Sequence, residues 1–172
     1  EATTRRSLSS SRKDRTMANT SFADRFDTRL PRELRDPGAQ LSFEGFVANY
    51  GRCAGPLRLG RWRCLDADRP AARLGLQGRT YQATIAIGDR TGTCTAAAHG
   101  PLAALTEMLY ERGITLEILG FHQLVCGTET ATFIHGSDGR AAAWAVGFAS
   151  DAGASAVDAV VTCVNRLLTA GG

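Results

Sequence analysis

One loop of this sequence combines small side chains with a helix start, and its chemistry suits a small anion. The loop runs from Ala97 to Ala104 and reads Ala-Ala-His-Gly-Pro-Leu-Ala-Ala. A strand pattern leads directly into a helix there, so free backbone N–H groups and the positive end of the helix dipole point out of the loop. A carboxylate fits such a position; the alternative is a tight strand-to-helix connection without a ligand. The predicted contacts are Ala98, His99, Gly100, Pro101, Leu102 and Ala103.

Three aromatic or imidazole side chains are further candidates for this site, and each has a structural alternative. His99 either orients a ligand or is a hydrogen-bonded structural residue. Phe121 and His122, on a predicted strand, either line the same crevice or belong to the core. We expect the other aromatic and thiol side chains of the predicted strands and helices to be core residues: Trp144, Phe148, Cys94, Cys126 and Cys163.

The sequence contains no pattern typical of an active site. Its five cysteines lie far apart without a CxxC or Cys/His metal spacing, and its three histidines do not pair at i, i+4. Neither GxGxxG nor a GxxxxGKS or GxxxxGKT phosphate loop occurs. Acidic residues fall mostly in predicted turns or on outer helix faces. We therefore expect no catalytic residue, no metal and no cofactor.

Charge is concentrated at the start of the chain. Residues 1–16 hold five basic and two acidic side chains, which is +3, while the remainder holds fifteen of each sign. A neutral folded part offers no basic face for nucleic acid, and no apolar run reaches the ~20 residues that span a bilayer. We expect a disordered tail over residues 1–27, no nucleic-acid or membrane partner, and, from the unpaired cysteines, a cytoplasmic protein.

Periodicity predicts a short helix over residues 39–50, followed by strands over residues 57–65, 81–87 and 93–98. A turn over residues 88–92 joins the last two strands. Gly100-Pro101 opens a helix, because proline loses no hydrogen bond at the first helical position, and Gly113 suits its C-terminal cap. This order is βββα. Along the first strand, the alternation places Leu57 and Leu59 opposite Trp62.

The same order then repeats, with strands over residues 115–125, 129–135 and 140–148 and a turn over 136–139. The closing helix has an apolar stripe of Val157, Val160, Val161, Val164 and Leu168, and its outward residues are predicted to be Asp158, Thr162, Asn165 and Arg166. Each unit covers one face of its sheet with one helix, so two units are expected to pack together. The predicted class is α+β, two pseudo-symmetric βββα units over residues 57–172, preceded by a linker with a short helix over 28–56.

The residues of these units resemble a known family. The stretch Ala96–Ala104, AAAHGPLAA, is similar to the GxGNGPLAA loop of the C-terminal regulatory domain of 2-isopropylmalate synthase. Residues 144–166, WAVGFASDAGASAVDAVVTCVNR, resemble that domain's final strand and helix, including its closing NR. The stretch 121–131 and, more faintly, residues 28–56 add to the resemblance.

The resemblance implies a function. In that family, this domain binds L-leucine at a dimer interface, and bound leucine inhibits a separate catalytic barrel. No barrel is present here, so the resemblance implies a non-catalytic regulatory domain, a homodimer, that binds leucine or a related carboxylate and acts on a synthase-type catalytic subunit. The resemblance also implies that Gly147, Asp151 and Ala152, in the corresponding loop of the second unit, line the ligand site. His99 stands where the family has asparagine, Ala96 and Ala98 replace glycines, and Ala149 replaces an acidic residue.

Two other functions remain open from the sequence. The fold could serve only as a dimerisation or scaffolding module with a degenerate pocket. Residues 39–112 also have the order αβββα of a double-stranded-RNA-binding domain. That domain has a lysine cluster at the start of its last helix, whereas this helix begins His-Gly-Pro-Leu-Ala-Ala.

Overall fold

The computed structural model describes residues 21–25, 30–68 and 78–171. The chain divides after Asn49 into two compact units, and the predicted tail lies mostly outside the described residues. In the first unit, α1 (Phe22–Arg25) is followed by a 3-10 turn (Arg32–Leu34), α2 (Arg35–Gln40) and α3 (Phe43–Tyr50). The rings of Phe22 and Phe46 stack 3.9 Å apart.

The helix predicted over residues 39–50 is in fact interrupted. Leu41 N donates to Pro37 O and ends α2. Ser42 Oγ then accepts a hydrogen bond from Gly45 N at 3.1 Å, which caps the start of α3.

The second unit, from Tyr50 onward, contains both βββα units, so the predicted α+β architecture is confirmed. The first comprises β1 (Leu57–Cys64), β2 (Arg79–Ile87), β3 (Arg90–Ala98) and α4 (Pro101–Tyr110). The second comprises β4 (Glu117–Cys126), β5 (Glu129–Ser137), β6 (Ala142–Ala149) and α5 (Ala152–Ala170). Each set of strands forms an antiparallel sheet in sequence order.

Both hairpin turns differ from their predicted bounds. Gly88 takes a positive φ of 57°, so Gly88 and Asp89 alone connect Ile87 to its partner Arg90, and β3 starts earlier than expected. In the second hairpin, Asp138 accepts hydrogen bonds from the N–H groups of Ala141 and Arg140. These donors lower the pKa of the Asp138 carboxyl. The turn is therefore displaced, β5 runs on to Ser137, and β6 starts at Ala142.

A β-bulge lies in the first strand of each unit. The register of β1 shifts between Leu59 and Trp62, and that of β4 shifts between Ile118 and Gly120. The extra residue in β1 changes the alternation, so Trp62 pairs with Ala83 while Leu59 pairs with Ile85, on the same face. The predicted alternation of β1, with Trp62 opposite Leu59, is therefore wrong.

One hydrophobic core is shared by both βββα units. It includes Ile85 from the first sheet, Leu105 and Met108 from α4, Ile134 from the second sheet and Val160 from α5. α4 packs on β3 and α5, and α5 packs on β5, β6 and β1. Because α5 is enclosed on several sides, it buries more of its surface than a one-sided amphipathic helix.

This enclosure corrects several predicted residue environments. Thr162 and Asn165 are buried rather than outward, and Leu167 is buried while Leu168 is exposed. On β6, the face toward α5 carries the small residues Ala143, Ala145 and Gly147. The aromatic residues predicted for the core, Trp144 and Phe148, lie on the opposite face and are only partly buried.

Among the predicted core thiols, Cys163 is fully buried and Cys94 is partly buried. Arg112 Nε lies 2.7 Å from Cys94 Sγ. The side chain of Cys126 lies outside the described set.

Candidate functional site

The first strand-to-helix loop presents the start of α4 without a side-chain cap. Gly100 is the N-cap residue in an extended conformation, φ −175° and ψ 169°, and no side chain there accepts a hydrogen bond from the first turn. Pro101 has no N–H to satisfy. The backbone N–H groups of Leu102 and Ala103 are therefore the polar groups that this helix start offers to an anion.

Small residues keep the space in front of this helix start open. A methyl group built on Gly100 would meet nothing within 4 Å. Ala96 and Ala98, which replace glycines of the resembled family, are buried in the shared core. Their methyl groups therefore fill the core, whereas His99 is exposed beside the open space.

The second strand-to-helix loop has the opposite electrostatic character. Asp151 is the N-cap of α5, and its Oδ1 accepts a hydrogen bond from Ala154 N at 2.8 Å. This carboxylate supplies the first turn of α5 with an anionic acceptor of its own. Just before it, Gly147 permits close packing of β6 on α5, because a methyl group there would lie 2.2 Å from Ala159 N.

The two helix starts lie next to each other. A methyl group built on Gly153 would lie 3.3 Å from Pro101 Cγ and 3.3 Å from Asp151 Oδ1. The uncapped N–H groups of α4 and the carboxylate that caps α5 thus belong to one region of the surface. Of the candidates from the sequence, Pro101 of the first loop therefore lies close to Gly153, which follows Asp151 and Ala152 of the second.

A buried polar network that the sequence interpretation missed supports the second loop. Gln123 Nε2 donates to Ala152 O and to Thr132 Oγ1, each at 2.8 Å. Thr132 Oγ1 and Ser155 Oγ lie 2.6 Å apart, and Ser155 Oγ donates to Ala152 O at 3.1 Å. One pattern in the sequence could have indicated this network. Thr130 and Thr132 alternate along the inner face of a central strand, where a buried threonine hydroxyl needs a polar partner.

The two candidates on β4 face opposite ways. Phe121 pairs with Ile134, on the face toward α5, and remains 50% exposed. His122 pairs with Phe133 on the opposite face, where the ring centroids lie 6.3 Å apart. The structure therefore does not bring His122 to the two helix starts.

A separate apolar groove runs between β1 and α5, with a volume of about 760 Å³. Its walls carry Leu59, Trp62, Val157 and Val161, and Asn165 lies at its base. Arg52 and Asp158, at its rim, form an exposed ion pair at 3.2 Å. The groove reaches the first turn of α5 at Ala154, and its lining includes no residue of α4.

The described residues contain neither a metal-binding cluster nor a membrane-spanning helix. No cluster of three or more His, Cys, Asp or Glu side chains there is placed to hold a metal ion. Within those same ranges, every helix is too short or too polar to cross a bilayer.

Comparison with known proteins connects this chain to one enzyme. No family model matches it. Over 93 residues it is 29% identical to a 2-isopropylmalate synthase of Arthrobacter sp. strain FB24, and over 95 residues it is 27% identical to that of Pseudarthrobacter chlorophenolicus. The matches cover 52% and 53% of this chain but only 16% of either synthase. About half of this chain is therefore similar to a minor segment of 2-isopropylmalate synthase.

Proposed function

We propose that this chain is a non-catalytic regulatory domain that binds leucine or a closely related amino acid and modulates a synthase of branched-chain amino-acid biosynthesis. The observation that carries this proposal is the meeting of the two strand-to-helix loops at Pro101 and Gly153. The similarity to 2-isopropylmalate synthase supports the pathway. The matches span only 16% of those enzymes, so the proposal assigns these residues a regulatory role and no part in the condensation chemistry.

The unlike charges of the two loops favour a zwitterion. A ligand carboxylate accepts hydrogen bonds from Leu102 N and Ala103 N at the start of α4. The ligand ammonium lies toward the Asp151 carboxylate at the start of α5. A free α-amino acid satisfies both groups at once, whereas a 2-oxo acid or an amine satisfies one.

Calorimetric titration of the full chain tests this proposal. L-Leucine is expected to bind, while 4-methyl-2-oxopentanoate and 3-methylbutylamine, which each lack one of the two charges, bind at least about tenfold more weakly. Asp151→Asn keeps a helix-capping side chain but loses the charge, so it is expected to weaken leucine binding more than binding of the oxo acid. Glu107→Gln, on an exposed position of α4, is the matched control and leaves both affinities unchanged. Equal affinity for all three ligands contradicts the zwitterion arrangement.

A dimerisation or scaffolding module is the second candidate function. It is favoured by the exposed apolar side chains of β4, which need a partner but no ligand. The same titration separates the two candidate functions. A dimerisation or scaffolding module is expected to give no heat with millimolar leucine, isoleucine or valine. In both candidates we propose that the chain is a homodimer.

A further inference from the structure

The β-bulge in β1 turns an aromatic side chain into the groove between β1 and α5. Because the register shifts after Leu59, Trp62 lies on the same face as Leu59, and both residues line the groove. Strict alternation would direct Trp62 to the other face of the sheet. The Trp62 ring also stacks on Tyr81, with the ring centroids 5.5 Å apart, which limits the positions that the indole can take. Bulges re-aim side chains next to functional sites, so this one marks the groove as a candidate binding site.

Most polar side chains of the groove already have partners within the protein. At the rim, Arg52 and Asp158 form an ion pair at 3.2 Å and neutralise each other. At the base, the Asn165 amide bonds to both backbone groups of Leu57. Two further side chains bond to backbone carbonyls: Cys53 to Ala54 O and Arg58 to Gly88 O. Among the described residues that line the groove, a ligand therefore meets no unpaired carboxylate or amide.

Thr162 is the exception among the buried polar side chains of the groove. It lines the groove and is only 1% exposed, and in the part of the chain that the structure describes its hydroxyl forms no hydrogen bond. Thr106 shows the usual arrangement on a helix, because its Oγ1 donates to Leu102 O and Ala103 O. A buried hydroxyl without a partner costs stability. The indole N–H of Trp62 also lacks a partner in that part, but water can reach this partly buried side chain.

We propose that this groove binds a small, neutral aromatic alcohol whose hydroxyl bonds to Thr162. The groove volume of about 760 Å³ falls within the range of about 300–1,000 Å³ typical of small-molecule sites. Its apolar walls and the Trp62 ring suit an aromatic body. A carboxylate is disfavoured because Arg52 is already paired with Asp158, and a pure hydrocarbon leaves the Thr162 hydroxyl unsatisfied. This site goes beyond the proposed function, whose ligand at the two helix starts is a zwitterion.

Nuclear magnetic resonance titration of the full chain with 4-methylphenol tests this site. The chain has two tryptophans, so its ¹⁵N spectrum contains two indole N–H signals. The signal of Trp62 is expected to shift, whereas that of Trp144, which does not line the groove, stays in place. Toluene lacks the hydroxyl and 4-methylbenzoate replaces it by a carboxylate, so each is expected to bind about fivefold more weakly or worse.

The substitution Thr162→Val keeps the shape of the side chain and removes the hydroxyl. It is expected to abolish the preference for 4-methylphenol over toluene while toluene binds as before. Because it also removes an unpartnered hydroxyl, the midpoint of thermal unfolding of the ligand-free chain is expected to rise by about 2–4 °C. Thr106→Val is the matched control: it removes a hydroxyl that has partners, so it keeps the preference and does not raise the midpoint.

Two outcomes overturn the proposal. One is a Trp62 signal that stays in place with all three compounds at millimolar concentration. The other is a preference for 4-methylphenol over toluene that is absent in the wild type or survives in Thr162→Val. The comparison of the three compounds on the wild type needs no variant, and circular dichroism shows whether Thr162→Val folds. Leucine is expected to bind Thr162→Val as it binds the wild type, so a failure at this groove and a failure of the proposed function are separate results.

Discussion

Asn165 is the residue that most directly joins the two βββα units. Its side-chain amide forms hydrogen bonds with Leu57 N and Leu57 O, and a longer one with Cys53 O at 3.3 Å. Gly55 is required beside it, because a methyl group there would lie 2.3 Å from Asn165 Oδ1. A polar side chain predicted to face solvent is thus a buried connection between the start of β1 and α5.

Replacing Asn165 by alanine is expected to destabilise the protein by about 2–4 kcal/mol, because it leaves Leu57 N and Leu57 O buried without partners. Urea denaturation measures this change. Thr169→Ala, on an exposed position of the same helix, is the control and should cost less than about 1 kcal/mol. An Asn165→Ala variant as stable as the wild type would show that water replaces the amide without cost.

The sequence predicted only some of the residues that form and support the candidate site. The small-residue loop around Gly100 was recognisable because glycine and proline have fixed backbone consequences. Asn165, Gln123 and Ser155 were missed because their partners lie far along the chain or across a sheet, and a polar residue on a helical pattern is ordinarily solvent-facing. His122 was placed in the site because the sequence did not reveal which face of β4 it occupies.

The two helices that carry the candidate site start differently. α5 begins with an aspartate cap, and α4 begins with an uncapped glycine. The two helix starts differ in this way although α4 and α5 occupy the same place in the two βββα units. It leaves one helix start open to a carboxylate and closes the other.

The substitution Gly100→Asp tests this reading of α4. An aspartate fits the extended backbone and open space at Gly100, and it supplies the missing cap. We expect stability to rise by about 0.5 kcal/mol, while leucine affinity falls by about tenfold or more because the new carboxylate competes for the same N–H groups. Thermal denaturation and calorimetric titration measure the two effects.

Gly100→Ala adds the methyl group without an acceptor and is the matched control for that substitution. It is expected to lower stability slightly, by less than about 1 kcal/mol. Unchanged leucine affinity in Gly100→Asp would place the ligand carboxylate away from α4.

At the scale of elements, the sequence predicted every strand and both long helices of the βββα units in the correct order. The alternation of apolar residues predicts these strands because each strand packs one of its faces against the helices. Strand ends and the alternation of β1 were wrong where Gly88, Asp138 and the bulge after Leu59 set the geometry, since these depend on turn hydrogen bonds and register rather than on side-chain pattern. The break between α2 and α3 depends similarly on Ser42.

Because both βββα units contribute to one hydrophobic core, we expect them to unfold together. Cys163 lies inside it, and burial raises the pKa of its thiol from 9.0 to about 11. Below pH 9 the thiol is protonated in both the folded and unfolded states, so its contribution to the free energy of unfolding is fully present. Between pH 9 and about 11 only the unfolded chain loses the proton, so stability falls as pH rises.

We therefore expect the free energy of unfolding to fall by about 2 kcal/mol from this thiol across that alkaline range. Cys163→Ala removes the titrating group and should give a shallower dependence on pH, although its stability at neutral pH is lower. Burial also raises the pKa of Tyr81, so the comparison between variant and wild type isolates the cysteine. Cys53→Ala, another partly buried thiol, is the control; parallel pH curves for wild type and Cys163→Ala would contradict the linkage.

The unequal helix lengths have a consequence for the relation between the two units. Asn165 lies thirteen positions after the start of α5 at Ala152, and the corresponding position in the first unit is Ile114, beyond the end of α4 at Tyr110. A chain made of two copies of the first unit would therefore leave Leu57 without its amide partner. The two units are not interchangeable, because only α5 is long enough to carry an amide to the start of β1.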